Sequence, residues 1–285
     1  MRKKIAVLFH ERARGTDLTG YIVDHLAGFW REDGHEVTYL FGTETAPPAD
    51  VILVHVDLSV VPDEYLSLAA RYRVALNHRV RDIRKSVTSR NLVRPGDGWN
   101  GPVIVKSDLN FGGTPERLLA QTRLQRRSRA WRGLTRAGAR LFRPAPLGSS
   151  EKYVLFAHSS EVPKRWFELD GVVVERFLPE LENGLYHLRM YQFLGDRWTC
   201  TRIASQQPVI RAGTSVAVEQ IEPHAEVIAW REQLGIDYGK LDYVVHDGEV
   251  VLLDVNKTTG ASRHMPDDAL RRMRRHFAEG LYSYL

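Results

Sequence analysis

The sequence predicts an α/β (α+β) protein in which a Rossmann-like αβ domain at the N-terminus precedes a longer, strand-rich region. Three observations carry that expectation. Short apolar runs alternate with amphipathic helical stretches over the first part of the chain, the order that builds a small, mainly parallel sheet. Beyond residue 90 the texture shifts to β-rich segments that end in a hairpin. The 285 residues, 43% hydrophobic and 26% charged, suffice for a substantial core and for two domains.

In chain order, residues 5–9 (Ile-Ala-Val-Leu-Phe) read as a buried strand. Leu18, Ile22, His25, Leu26 and Phe29 then recur at helical spacing over 18–30, and Gly34 ends that helix. Segments 36–41 and 51–56 are β-rich, with Pro47-Pro48 in the loop between them. Pro62 opens a helix that runs through Ala70, and 74–76 returns to the sheet. No glycine-rich dinucleotide fingerprint follows the first strand, so an NAD domain is not expected. Strands are expected at 103–106, 153–157, 172–177, 187–193 and 199–204, then the final hairpin. Residues 95–98 and 144–150 read as mobile loops. Leu270, Met273, Phe277 and Leu281 form the apolar stripe of a closing helix over 269–281.

Composition narrows the function classes. No apolar run reaches the length of a membrane span, and 5–9 is too short for a secretory core, so a cytoplasmic protein with no membrane partner is expected. The single Cys200 excludes a disulfide framework, and eleven histidines without ligand spacing give no reason to expect zinc. The formal net charge is +5. Much of it comes from Arg117, Arg123, Arg126, Arg127, Arg129, Arg132, Arg136, Arg140 and Arg143, an Arg-rich helical stretch over 117–143 without a compensating acid. That stretch is either a solvated helix face or a surface for an acidic partner. No nucleic-acid motif accompanies it, so nucleic acid is not the expected partner.

The hairpin carries the strongest chemical signal. Asp254 and Asn256 are two apart at the end of an apolar strand, so their side chains project from one face. Asp242 lies on the preceding strand. Two carboxylates and an amide oxygen make a hard-oxygen set suited to magnesium; the other reading is a surface hairpin with incidental acids. Asp242 can share the face only if the connecting loop has an odd number of residues. His246-Asp247-Gly248 is therefore expected as a three-residue loop, with Gly248 left-handed in a G1 bulge. On that register Val250 and Leu252 share the face of the acids, while Val251, Leu253 and Val255 fill the other.

A second signal is Lys106, which ends an apolar strand and precedes Ser107-Asp-Leu-Asn-Phe-Gly-Gly113 and the helix-start order Thr114-Pro115-Glu116. Glycines and a helix start behind a lysine suit an anion. Glu175 lies near the end of Gly171-Val-Val-Val-Glu-Arg-Phe-Leu178, with Glu182 seven residues on. A strand-edge acid paired with a neighbouring arginine is the competing reading of Glu175.

Taken in order from about residue 77 to 262, these motifs resemble the ATP-grasp superfamily of carboxylate–amine ligases. The resemblance implies an N-terminal αβ domain over 1–90 and a two-subdomain ATP-grasp domain over 91–285, with subdomains of about 91–175 and 176–285. It implies ATP and Mg2+ as cofactors. Lys106 with Phe111, Gly112 and Gly113 is similar to the phosphate-binding lysine and glycine-rich flap, and Lys85 to the earlier nucleotide-contacting lysine. Glu175, Arg176, Phe177 and Leu178 resemble the adenine-binding hinge, with Glu182 at the ribose. Asp242, Asp254 and Asn256 resemble the magnesium triad, and 257–260 the substrate-facing loop. Arg189 resembles an arginine of the ribosomal-protein glutamate ligase and D-alanine:D-alanine ligase branches, and Arg202 and Arg211 stand as phosphate-contacting candidates. Two departures stand out: Asp254 replaces the commoner glutamate, and Lys257-Thr-Thr-Gly260 stands where proline–glycine is common.

The implied activity is an ADP-forming ligase acting through an acyl phosphate. It would join a small-molecule or peptide carboxylate to an amine acceptor (or thiol), with an acidic partner at the Arg-rich helix and room for a homodimer. A kinase on the same scaffold and a non-catalytic ATP-binding regulator are the alternatives.

Overall fold

A computed structural model describes residues 1–120, 153–211, 213–261 and 267–285. Its first strands are β1 (Lys4–Phe9), β2 (Glu36–Phe41), β3 (Val51–Val54), β4 (Ala75–Leu76), β5 (Val103–Ser107), β6 (Tyr153–Phe156) and β7 (Val172–Arg176). The remainder are β8 (Glu180–Glu182), β9 (Leu185–Leu194), β10 (Arg197–Ser205), β11 (Ser215–Gln220), β12 (Tyr238–His246) and β13 (Glu249–Asn256). The longer helices are α1 (Ile22–Glu32), α2 (Asp63–Ala69), α3 (Ala225–Leu234) and α4 (Asp267–Glu279). The fold is mixed α/β with one parallel and two antiparallel sheets. No helix among the described residues is long and apolar enough to cross a membrane.

The chain divides into two compact units, residues 1–83 with 179–285, and residues 84–178. These breaks differ from the expected 90/91 and 175/176, and the N-terminal segment is not a unit by itself. In the first unit β1–β4 form a parallel sheet in the order β2-β1-β3-β4. Helix α1 buries Ile22, Val23, Leu26, Ala27, Phe29 and Trp30 on it. The helix begins at Ile22 rather than at 18; Leu18 is buried ahead of its first turn. Gly34, at φ 85°, ends it in the left-handed conformation that glycine adopts without steric cost.

The core beneath α1 joins distant parts of the sequence. Ile5, Val7, Trp30 and Leu53 pack with Leu194 of β9, Tyr238 of β12, and Phe277 and Leu281 at the chain's end. The Trp30 indole N–H donates to the Ala278 carbonyl at 2.8 Å. Asn77, fully buried at φ 58°, accepts from the Asp237 and Tyr238 amides and donates to the Tyr238 carbonyl. It thereby stitches the end of β4 to β12, with each buried polar group satisfied. Helix α4 stops at Glu279, so Leu281 falls in the 3-10 turn Gly280–Tyr284 rather than on the helical stripe.

The antiparallel sheet of this unit runs β11-β10-β9-β12-β13, with β8 also on β9. Its core face packs Tyr191, Phe193, Cys200, Leu241, Tyr243 and Val255 against Val227 and Trp230 of α3. The expected strands 187–193 and 199–204 are here as β9 and β10; β8 and β11 are additions. In the second unit β6-β5-β7 form an antiparallel sheet over a small valine core of Val93, Val103, Val105, Val162 and Val174. Residues 114–120 are helical, and Thr114 already has helical dihedrals, so Gly113 stands in the cap position instead of Thr114. The rest of the Arg-rich stretch from Arg123 to Arg143, and the loop 144–150, lie outside the described residues.

Candidate functional site

Asp247 (φ 50°) and Gly248 (φ 86°) are the only residues between β12 and β13. Two successive positive φ values are those of a type I′ hairpin turn, whose twist matches the strands it joins. The three-residue loop expected at 246–248 is therefore incorrect: His246 already pairs with Glu249. That register would send Asp242 and Asp254 to opposite faces, yet the two are direct partners. A β-bulge between Asp242 and Tyr243 reconciles them. Tyr243 pairs with Leu252 and Asp242 with Asp254, so Leu253 is the extra residue that resets the parity. Leu252 consequently lies on the Tyr243 face, opposite to the acids, and does not share theirs as expected.

Beyond the bulge, Lys240 pairs with Asn256. Alternation places Lys240, Asp242, Asp254 and Asn256 on one face, together with Met190 and Gln192, their partners on β9. The Lys240 ammonium donates to Asp242 Oδ2 at 2.9 Å. Asn256 Oδ1 accepts the Thr258 amide at 2.8 Å, which fixes the orientation of the side-chain amide. No group of three or more His, Cys, Asp or Glu side chains suited to a metal occurs among the described residues. The set is two carboxylates and an amide oxygen, all hard donors, and its chemistry fits magnesium. Lys240 was absent from the expected site, although its i−2 relation to Asp242 was the available signal.

Arg189 and Arg202 sit on the other face. Arg189 pairs with Arg202 on β10 and with Tyr243 on β12, one position off the Asp242 rung. Both guanidinium groups close on Glu180, which sequence reasoning passed over. Glu180 accepts from Arg189 Nη2 at 2.8 Å, Arg202 Nε at 2.8 Å and the Val245 amide at 2.8 Å. Burial pushes the Glu180 pKa up, but these donors outweigh it and hold the group below its ordinary value. Glu182 is exposed and tied to Arg202, whose hydrogen bond lowers its pKa. Arg211 is exposed in the β10–β11 connection, where its amide donates to Thr214 Oγ1 at 2.9 Å.

In the second unit, Lys106 and Glu175 form a buried ion pair on adjacent strands. The Lys106 ammonium meets Glu175 Oε2, while Glu175 Oε1 has no hydrogen-bond partner among the described residues. An orphaned carboxylate oxygen at 2% exposure is costly unless a donor arrives. Lys85 is buried in the turn Lys85–Thr88, which Asp108 caps through the Ser86 amide and hydroxyl at 2.7 and 2.9 Å. Phe111, Gly112 and Gly113 have φ of 48°, 61° and 68°, a left-handed run with the Phe111 ring exposed. A non-glycine residue there is strained, a state that clusters at ligand clamps. The Arg117 guanidinium donates to the Gly112 carbonyl and to Thr114 Oγ1. Arg176 stacks on Trp99 at 4.9 Å, and the Phe177 amide donates to the Pro102 carbonyl at 2.9 Å. Leu178 is half-buried at the unit's last position.

Below the hairpin's end, His55 is fully buried against Phe9, Tyr21 and Tyr238, and neither ring nitrogen has a hydrogen-bond partner among the described residues. Burial and then the Lys257 ammonium push its pKa down to about 3, so the ring is neutral.

No protein-family model matches this chain, and neither does any curated protein. Among solved structures it is similar to a RimK domain protein ATP-grasp from Sphaerobacter thermophilus (13% identity, 98% of this chain and 99% of that one, TM-score 0.46). It is also similar to a D-alanine--D-alanine ligase from Bacillus anthracis complexed with ATP (13% identity, 100% and 98%, TM-score 0.45). A third is the macrocyclase MdnB from Microcystis aeruginosa (12% identity, 98% and 99%, TM-score 0.44).

Proposed function

We propose that this chain is an ATP- and magnesium-dependent, ADP-forming ligase that joins a carboxylate to an amine (or thiol). The observation that carries the reading is the bulge-enforced pairing of Asp242 with Asp254, beside Asn256 and Lys240 on one face. A β-bulge that re-aims a side chain is a feature kept for a purpose, and carboxylates placed directly opposite repel unless a cation lies between them. Asp242, Asp254 and Asn256 would hold the magnesium, which when bound neutralises charge on the nucleotide phosphates.

The chain's own groups supply the rest. Lys240, already an ion-pair partner of Asp242, adds a positive charge on the same face. Arg189 and Arg202 lie on the face opposite the acids, so the cation of this unit proposed for the phosphates is Lys240. Lys106, in the other unit, is proposed for them from its place in the sequence motif. Glu175 Oε1 is suited to accept from the exocyclic amine of a base. The exposed Phe111 and its glycines are suited to close over a bound phosphate. A substrate carboxylate oxygen attacks the γ-phosphorus and ADP departs. The amine then attacks the acyl carbon and inorganic phosphate departs, so no protein nucleophile is consumed.

The test is product analysis with ATP, Mg2+ and panels of carboxylates and amines. ADP, free phosphate and an amide in equal amounts are expected; a phosphorylated acceptor without free phosphate would make the enzyme a kinase. Asp254→Asn is nearly isosteric and should fold normally while losing at least about a hundredfold in turnover. Near-normal turnover in that variant would overturn the metal assignment.

A further inference from the structure

The residues immediately after Asn256 are fastened to a distant part of the same unit. Lys257 is only 1% exposed, and its ammonium donates to the carbonyls of Val56 and Leu58 at 2.6 and 2.7 Å. A buried ammonium is retained only where it is well satisfied, so these contacts fix the segment firmly beyond the end of β3. Thr258 Oγ1 donates to Asp57 Oδ1 at 2.8 Å, and Tyr21 holds the other Asp57 oxygen at 2.7 Å. The Ile22 amide donates to the Thr259 carbonyl, the Ala261 amide to Gly20, and Thr259 Oγ1 meets the Tyr238 hydroxyl at 3.0 Å. The same segment orients the site, because the Thr258 amide holds Asn256 Oδ1.

We propose that Lys257 is a positioning residue for the Asp242–Asp254–Asn256 oxygen set. Its ammonium anchors the 257–261 strap to the loop that follows β3, and the strap in turn presents the Asn256 oxygen at a fixed angle. This role rests on the ligase reading of the preceding subsection. A methionine would fill the lysine's volume but give Val56 and Leu58 no donor, and the turn holding Asn256 would loosen.

The experiment compares wild type, Lys257→Met and Thr258→Ala by electron paramagnetic resonance of Mn2+ titrated in the presence of a non-hydrolysable ATP analogue. Hydrogen exchange of the Thr258 and Ala261 amides is followed in parallel. Mn2+ dissociation constants should rise about tenfold in Lys257→Met and about threefold in Thr258→Ala. Both variants should exchange Thr258 and Ala261 faster, while β1 and β9 keep wild-type protection. Should Lys257→Met fail to fold, Thr258→Ala carries the test on the same readouts. Wild-type protein that takes up no Mn2+ with the analogue overturns the ligase reading. Wild-type uptake, with unchanged uptake and exchange in the variants, overturns only the positioning role.

Discussion

Glu180 is a buried carboxylate holding two arginines, and its environment dictates a pH response. Its pKa is depressed in the folded state, because the Arg189, Val245 and Arg202 donors outweigh the effect of burial. A depressed carboxylate contributes stability that is fully present above about pH 5 and is lost as pH falls through the folded-state value. Glu180→Gln should therefore cost about 2 kcal/mol at pH 7, since it leaves Arg189 and Arg202 without their shared counter-charge. The gap between variant and wild type should narrow as pH falls below 4. Urea unfolding across that range checks it, and a gap independent of pH would remove Glu180 as the source. Sequence reasoning weighed Glu175 and Glu182 and passed over Glu180, because a strand of three residues gives too little alternation to show which acid turns inward.

At the level of elements, the acids of the hairpin were legible and the means of aligning them were not. An i, i+2 pair at the end of an apolar strand announces itself through alternation alone. A bulge depends on how one strand registers against another, and Leu253 differs in nothing from the aliphatic residues around it. The parity requirement was sound, but the sheet met it in mid-strand instead of in the turn. The register has a direct chemical test. Cysteines at Asp242 and Asp254 would be direct cross-strand partners, with Cα atoms about 4.5–5.5 Å apart, inside the span a disulfide bridges. Asp242→Cys with Asp254→Cys should cross-link under mild oxidant, and Asp242→Cys with Leu253→Cys should not; mass spectrometry reads both, and the buried Cys200 stays reduced. Preferential cross-linking of the 242/253 pair would mean an unbulged ladder and acids on opposite faces.

On the scale of the whole molecule, the alternating strands and helices of the first 83 residues were readable from their periodicity, whereas their dependence on the last hundred was not. Core membership between residues so far apart leaves no local pattern. Phe277 and Leu281 show the same stripe whether they cover a neighbouring helix or a sheet begun at Ile5. The structure puts them on that sheet: Phe277 is 2% exposed in the core that contains Ile5, Val7, Trp30, Leu194 and Tyr238. Asn77 and the Trp30–Ala278 hydrogen bond tie the same segments through polar contacts. Phe277→Ala should then destabilise by about 3–5 kcal/mol, the ordinary cost of an emptied aromatic site. The loss should spread across the sequence, because one core serves both segments. In hydrogen exchange, amides of Ile5–Val54 in β1 and β3 and of Leu241–Val245 in β12 should lose protection together, as one cooperative unit. Protection of β1 that survives while α4 and β12 open would instead make residues 1–83 a domain with a stability of its own.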